Sequence, residues 1–167
     1  EIGIEVRNSK AVGVDGCNVT WNDFGIHVLG SSEVSLNGCQ VMDNDDHGAL
    51  LESSSLCNVH NCTFERNDDG VHLKLSSHYN NISQNRMISC RESAIAIGNG
   101  ASLNTFQGNV MHDCGFYFPD DRINIGEQSI SRTNLVNGKE VLFIYMFPGE
   151  EGGLHYDLGE TGQLIVI

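Results

Sequence analysis

Apolar and polar residues alternate along most of this chain in short runs, and the runs recur at a nearly fixed interval. Each repeat opens on a small residue, at Gly3, Gly25, Gly48, Gly70 and Ala94, so the openings fall 22, 23, 22 and 24 residues apart. Alternation is the pattern of a β-strand with one buried face, and helical periodicity is absent. A repeat of this length is typical of a solenoid, in which each unit stacks on its neighbours.

Aligning the repeats places the apolar residues in four columns. Three short strands per repeat can close one turn, with each column recurring about 4.8 Å above itself. We therefore predict an all-β fold, a single-stranded right-handed parallel β-helix of about five coils. The alternative is an antiparallel β-sandwich, which would want two-residue Asn-Gly turns and a hairpin spacing nearer about 8 to 12 residues. The columns are Ile4, Ile26, Ala49, Val71, Ile95; Val6, Val28, Leu51, Leu73, Ile97; Val14, Leu36, Val59, Ile82, Phe106; and Val19, Val41, Phe64, Met87, Met111.

The regular repeat ends before the chain does. We predict regular coils over residues 1–117, then an irregular transition around Pro119 and C-terminal strands over 118–167 that continue the same solenoid as one domain. The chain starts and stops on strand-like segments, and open strands invite pairing with another chain. We therefore expect either flanking sequence from a longer protein or end-to-end or edge self-association.

The net charge limits the partners. Nine Lys plus Arg against 22 Asp plus Glu give −13 at pH 7, a field that repels phosphate backbones and anionic lipid. No apolar run approaches the roughly 18 residues of a membrane span. Nucleic-acid binding and direct membrane insertion are therefore disfavoured.

The six cysteines fall in columns with inward asparagines. Cys17, Cys39 and Cys62 share a column with Asn85 and Asn109. Cys90 and Cys114 share another with Asn22, Asn44 and Asn67, and Cys57 aligns with Asn80 and Asn104. We expect inward packing of free thiols and amides, with a Cys90–Cys114 disulfide as the alternative. A zinc site on the cysteines is disfavoured, because no CxxC occurs.

Acidic turns supply the first candidate chemistry. Oxygen ligands from adjacent coils could assemble a calcium site, although solvated turn residues explain the same pattern and an EF-hand loop is missing. A glycoside hydrolase would need two carboxylates separated by about 5 to 9.5 Å. The candidate catalytic pairs are Asp45 with Asp68 and Asp120 with Asp121. The calcium candidates are Asp23, Asp45, Asp46, Asp68 and Asp69.

Histidines and N-glycosylation sequons are the remaining candidate functional residues. His27 and His72 occupy the same outward position two coils apart, too far to share one metal ion, and Leu50 lies between them. We interpret these two, and His47, His60, His78, His112 and His155, as ordinary surface histidines. Three sequons make Asn18, Asn61 and Asn81 glycosylation candidates, and the register predicts that Asn18 and Asn81 face outward.

Several segments carry a family resemblance. The sequence YNNISQN at Tyr79 to Asn85, the segment from Thr133 to Tyr145 that contains NLVNGKEV, and the final GQLIVI resemble the NosD-type β-helix proteins. These are also grouped as carbohydrate-binding and sugar-hydrolase (CASH) domains, and they are common on archaeal and bacterial cell surfaces. The resemblance implies a secreted, periplasmic or surface-anchored solenoid with a carbohydrate-related role.

The family's name comes from a protein of copper delivery, so the resemblance also raises a metal-related accessory role. Copper(I) would want clustered Met, Cys or His, whereas the stacked Met87 and Met111 are predicted to point inward. Our leading hypothesis is a noncatalytic extracellular β-helix module, structural and polysaccharide-binding. The alternatives are a polysaccharide lyase, epimerase or hydrolase, and a copper- or calcium-related accessory protein.

Overall fold

In a computed structural model of the protein, residues 1–119, 127–144 and 161–166 are described. They form strands throughout, and three strands recur in each coil because each coil carries three alternating apolar runs. The strands are β1 Ile2–Arg7, β2 Gly13–Asp15, β3 Asn18–Thr20, β4 Phe24–Leu29, β5 Ser35–Asn37, β6 Gln40–Met42, β7 Ala49–Glu52, β8 Asn58–His60, β9 Thr63–Glu65, β10 Asp69–Lys74, β11 Asn81–Ser83, β12 Arg86–Ile88, β13 Ser93–Ile97, β14 Thr105–Gln107, β15 Val110–His112, β16 Phe116–Tyr117, β17 Ser129–Ile130, β18 Leu135–Val136, β19 Lys139–Ile144 and β20 Thr161–Val166.

The strands assemble into three sheets that run the length of the solenoid. The first sheet is β1-β4-β7-β10-β13-β16, and the second is β2-β5-β8-β11-β14-β17. The third sheet is β3-β6-β9-β12-β15-β18-β19-β20. The first-sheet strands of the early coils are six residues long, whereas those of the other two sheets are three. The predicted all-β parallel β-helix is confirmed, and it makes about six turns.

The four predicted apolar columns are confirmed residue by residue. Parallel pairing places Ile4 beside Ile26, Val14 beside Leu36, and Val19 beside Val41, and the same register continues up the stack. Phe64, Met87 and Met111, in one column, are fully buried. One continuous core therefore fills the solenoid.

The small residue that opens each coil is required by close packing. A Cβ on Gly48 would lie 2.7 Å from both the Gly70 carbonyl oxygen and the Phe64 ring. The opening position thus packs against the third sheet and the next coil, and a larger side chain there would push adjacent coils apart.

After residue 127 the chain completes a sixth coil and then reverses. β17 and β18 stack in parallel on β14 and β15, but β19 runs antiparallel to β18. Asn137 and Gly138 both have positive φ, 51° and 79°, as a two-residue type I′ hairpin turn requires. β20 then pairs in parallel with β19. Among the described residues, no helix is long and apolar enough to cross a membrane.

Candidate functional site

Three ionisable side chains meet where the neighbouring first-sheet strands β7 and β10 begin. His47 lies just before Gly48, which opens the third coil, Asp69 begins β10, and His72 follows on the same strand. The Asp69 Oδ2 atom lies 2.9 Å from His72 Nδ1 and 3.1 Å from His47 Nδ1. The imidazole rings of His47 and His72 meet edge-on, with centroids 4.5 Å apart. We call these three residues the His–Asp–His cluster.

The cluster is nearly closed to solvent. The side chains of His47, Asp69 and His72 are 13%, 3% and 15% exposed. Among the described residues, this is the one group of three or more histidine, cysteine or acidic side chains whose ligand atoms all lie within 4.8 Å of one another. The arrangement therefore concentrates two imidazoles and one carboxylate in a space of low water content.

One ring nitrogen of the cluster is left without a hydrogen bond. His47 Nδ1 lies 3.1 Å from Asp69 Oδ2 and 3.1 Å from Asp46 Oδ1, but neither contact has hydrogen-bond geometry. This buried atom has no hydrogen-bond partner among the described residues. A buried polar atom without a partner is costly, so the nitrogen is available to a ligand.

Asp69 is held as a carboxylate. Burial by itself would raise its pKa, but polar contacts with His47, His72 and Ser93 outweigh burial and keep the pKa well below its ordinary value. Ser93 Oγ donates to Asp69 Oδ1 at 2.5 Å, which leaves Oδ2 facing the two imidazoles. The cluster thus has a fixed negative charge at its centre.

Buried apolar side chains lie beside the cluster. Leu50 and Ala96, the register neighbours of His72, alternate with core residues and so face away from the core, yet they are 1% and 0% exposed. The ring of Phe24 lies 5.7 Å from that of His47. Elsewhere on the first sheet, His27 Nε2 lies 3.2 Å from a carboxylate oxygen of Glu52.

The expectation that His27, His47 and His72 are ordinary surface histidines is wrong. The register does place Leu50 between His27 and His72, as predicted. The missed neighbour is His47, which lies in the column just before the opening small residues, where His72 reaches it diagonally from the next coil. The sequence signal that could have revealed the cluster is the column just before the opening residues, in which polar side chains follow an apolar one. This column is Phe24, His47, Asp69 and Ser93.

The calcium candidates do not gather into one site. Asp23 contacts the terminal amine of Glu1, Asp68 is paired with Arg91, and Asp69 belongs to the His–Asp–His cluster. Asp45 is exposed, while Asp46 lies beside His47. Asp23, Asp68 and Asp69 are therefore held by different partners.

The catalytic candidate Asp68 is paired with an arginine. Arg91 neutralises the Asp68 carboxylate and also donates to the backbone oxygens of Asn44 and Asp45, at 3.0 and 2.7 Å. Asp120, Asp121 and His155 lie outside the described residues. The pair of Asp45 and Asp68 is thus a poor match to a hydrolase, because one of its carboxylates is held by an arginine.

The cysteines and asparagines pack inward, as predicted. All six cysteines are free thiols, so the alternative of a Cys90–Cys114 disulfide is wrong. A hydrogen bond with Cys114 and burial raise the pKa of the Cys90 thiol. Within the columns, Asn44 Nδ2 donates to Asn67 Oδ1 at 2.9 Å, and Asn80 Nδ2 donates to Asn104 Oδ1 at 3.1 Å.

The outer side of the second sheet has a different composition. Its outward side chains in coils three to five are amides, hydroxyls and one imidazole, and none of them is Asp, Glu, Lys or Arg. Beside them, a shallow groove of about 400 Å³ is lined by Ser83, Gln84, Gln107, Gly108 and Thr133. We call this surface the polar face; it consists of Asn58, His60, Asn81, Ser83, Thr105 and Gln107.

A ladder of exposed apolar side chains borders the polar face. Leu56, Tyr79 and Leu103 each precede a second-sheet strand by two residues, and they are 52%, 59% and 43% exposed. Each has a φ near +57° to +58°, a conformation in which bulky residues are uncommon. Such positions usually hold glycine or asparagine. Because three successive coils each place a large exposed side chain there instead, we interpret the ladder as a contact surface.

The three sequons lie at the surface to different degrees. Asn18 and Asn61 are exposed, whereas Asn81 is half-buried on the polar face. Asn81 Nδ2 donates to Asn58 Oδ1 at 3.4 Å and to Ser83 Oγ at 3.3 Å. Asn18 and Asn61 are therefore the more accessible acceptors for a glycan.

Comparison with known proteins agrees with this architecture. The profile of the family described as "Right handed beta helix region" matches residues 1–138 of this chain. No curated protein and no solved structure gives a significant match. The matched segment covers the six stacked coils up to the turn before β19, and the chain therefore belongs to the right-handed β-helix family.

Proposed function

We propose that this chain is a noncatalytic β-helix module of a secreted or cell-surface protein, and that it binds a neutral polysaccharide across the polar face. The observation that carries the proposal is the absence of formal charge on the polar face, in a chain whose net charge is −13. Amides and hydroxyls exchange hydrogen bonds with sugar hydroxyls, and an uncharged face suits a polymer without carboxylates.

The apolar ladder supports the same ligand. Tyr79 stands between Leu56 and Leu103, and its ring is more than half exposed. Exposed aromatic rings that keep a polar tip are favoured at binding surfaces, because they bury a large area at low entropic cost. Successive coils repeat the ladder about every 4.8 Å, which offers a polymer a row of equivalent contacts. The resemblance to NosD-type and CASH proteins is consistent with this role.

Binding is tested on an array of neutral glycans (cellulose, mannan, xylan and chitin oligomers) and acidic ones (alginate and pectin oligomers). We expect binding to a neutral glycan, and an affinity about tenfold lower for Tyr79→Ala, which corresponds to about 1.4 kcal/mol. Trp21→Ala is the matched control, since Trp21 is 80% exposed, has positive φ and follows a third-sheet strand. A loss with Trp21→Ala and none with Tyr79→Ala would contradict the proposal.

Catalysis is tested in the same samples. Reducing ends and unsaturated uronates are measured after long incubation of each bound glycan with the protein. We expect no product, because Asp68 is paired with Arg91. Turnover that Asp45→Asn or Asp68→Asn abolishes would replace the noncatalytic proposal with an enzyme.

The surface location has its own test. Protease added to intact source cells should degrade the protein, and glycosidase treatment should shift its mass if Asn18 or Asn61 carries a glycan. Full protection from the protease until the cells are lysed would contradict a surface location.

A further inference from the structure

We propose that the His–Asp–His cluster binds a divalent transition metal ion of the zinc class. This inference is independent of polysaccharide binding, because the cluster lies on the first sheet and the polar face on the second. Its ligands would be His47 Nδ1, His72 Nδ1 and Asp69 Oδ2.

The spacing of the donor atoms fits such an ion. Zinc bonds to histidine nitrogen and carboxylate oxygen are about 2.0 to 2.2 Å long, which separates the ligand atoms of a tetrahedral site by roughly 3.3 Å. The Asp69 oxygen lies 2.9 Å from one imidazole nitrogen and 3.1 Å from the other. The separation of the carboxylate oxygen from each nitrogen is therefore within a few tenths of an ångström of that value, and all three ligand atoms lie within 4.8 Å of one another.

The chemistry of the donor atoms determines which ion the cluster prefers. Imidazole nitrogen with carboxylate oxygen suits zinc and its neighbours in the first transition row. Calcium takes six to eight oxygen ligands, and copper(I) favours thiolate and thioether sulfur, neither of which this cluster supplies. Two nitrogens and one oxygen from the described residues leave a fourth position for water or a further ligand.

The cluster is also prepared for binding before any ion arrives. Ser93 fixes the Asp69 carboxylate by donating to Oδ1. His47 Nδ1 is buried without a hydrogen-bond partner among the described residues, so an ion would satisfy it. Groups that hydrogen-bond to a metal ligand, as Ser93 does to Asp69, orient the ligand and strengthen metal binding.

The test uses the whole chain, with any affinity tag removed and metal stripped by chelator. Zinc is titrated by calorimetry, and cobalt(II) is titrated by visible absorption, whose bands report nitrogen, oxygen or sulfur ligation. We expect one equivalent of each ion, and His47→Gln and His72→Gln should each weaken binding by more than about 100-fold, because each removes a ligand. Ser93→Ala, which keeps all three ligands, should weaken it by about 10- to 100-fold.

The matched control is His112→Gln, which removes a half-buried histidine of the third sheet. It should bind zinc as the unaltered chain does. Each variant is checked by circular dichroism, and any that does not fold is replaced by the corresponding alanine variant. Absence of binding, retention of affinity in both ligand variants, or cobalt bands of thiolate ligation would overturn the proposal; in those cases the cluster is only a hydrogen-bonded anchor between coils.

Discussion

At the scale of single residues, buried asparagines act as hydrogen-bond partners between coils. Asn109 Oδ1 accepts from the backbone nitrogen and the Nδ2 of Asn85, both at 3.1 Å, and Asn109 Nδ2 donates to the Ile82 oxygen at 2.9 Å. At these corners the strands turn away from each other, so the backbone cannot supply these partners. The amide ladder therefore closes each corner of the coil.

Removing one amide should be costly. Asn109→Ala removes the acceptor of two Asn85 donors, the backbone N–H and one Nδ2 hydrogen, and we expect the free energy of unfolding to fall by about 3 kcal/mol. Urea denaturation measures it. Gln107→Ala, an exposed control two residues away, should change it by less than about 0.5 kcal/mol. Equal losses from both variants would show that the ladder has no special role.

Thiols occupy the same inward columns with different chemistry. Cys62 is 1% exposed, and its sulfur accepts from the Cys39 backbone nitrogen at 3.4 Å. Burial raises the pKa of the Cys62 thiol to about 12. Burial also raises the pKa of Cys57. The folded chain therefore holds these protons more tightly than the unfolded chain does.

A raised thiol pKa makes stability depend on pH in a defined direction. Below the ordinary thiol pKa, near 9, both states are protonated and the thiol leaves stability unchanged. Between about 9 and about 12 only the unfolded state loses the proton, so the free energy of unfolding should fall as pH rises. Cys62→Ala should make this decline shallower than it is in the unaltered chain. Identical slopes in the variant and the unaltered chain would contradict this assignment.

At the scale of elements, the coil is the unit of the structure. Among the described residues, each strand from β1 to β17 pairs only with the equivalent strands of the adjacent coils, so the three sheets share one repeat. The alternation of apolar residues made these columns predictable, because a slip of one residue would turn the buried set outward. Contacts that cross columns, such as His47 with Asp69 and His72, depend on where the chain bends between sheets and were not predictable from alternation.

The C-terminal reversal shows a second limit of pattern reading. Asn137-Gly138 is a strong hairpin signal, and it does reverse the chain between β18 and β19. We predicted that the C-terminal strands continue the solenoid; β17 and β18 stack on it in parallel, and β19 joins the third sheet antiparallel to β18. Apolar runs identify strands, but the direction of pairing is set by the turn between them.

A whole coil should be removable without loss of the fold. Deleting residues 25–47 joins Phe24 to Gly48 and stacks β1, β2 and β3 on β7, β8 and β9 in the same register. We expect a β-rich circular dichroism spectrum and cooperative urea unfolding. Deleting residues 25–36 instead removes part of a coil, breaks the register and should yield an unfolded or aggregated chain. If both deletions behave alike, the coil is not the independent unit.

At the scale of the whole molecule, the solenoid separates two surfaces with different chemistry. The first sheet carries the His–Asp–His cluster, nearly closed to solvent, and the second carries the polar face with its apolar ladder. Composition and charge disfavour nucleic acid as a partner, but only the register could show that the polar face lacks charge. The account therefore predicts that metal and polysaccharide bind at separate places.

Chemical-shift mapping by NMR tests the central claim most directly. The neutral oligosaccharide that binds best on the array is titrated into isotope-labelled protein, and backbone amide shifts are followed. The account predicts shifts concentrated in residues 56–60, 79–83 and 103–107, with the third-sheet segments 86–88 and 110–112 unchanged. Shifts centred on the first or third sheet, or no shift with any neutral oligosaccharide, would contradict it.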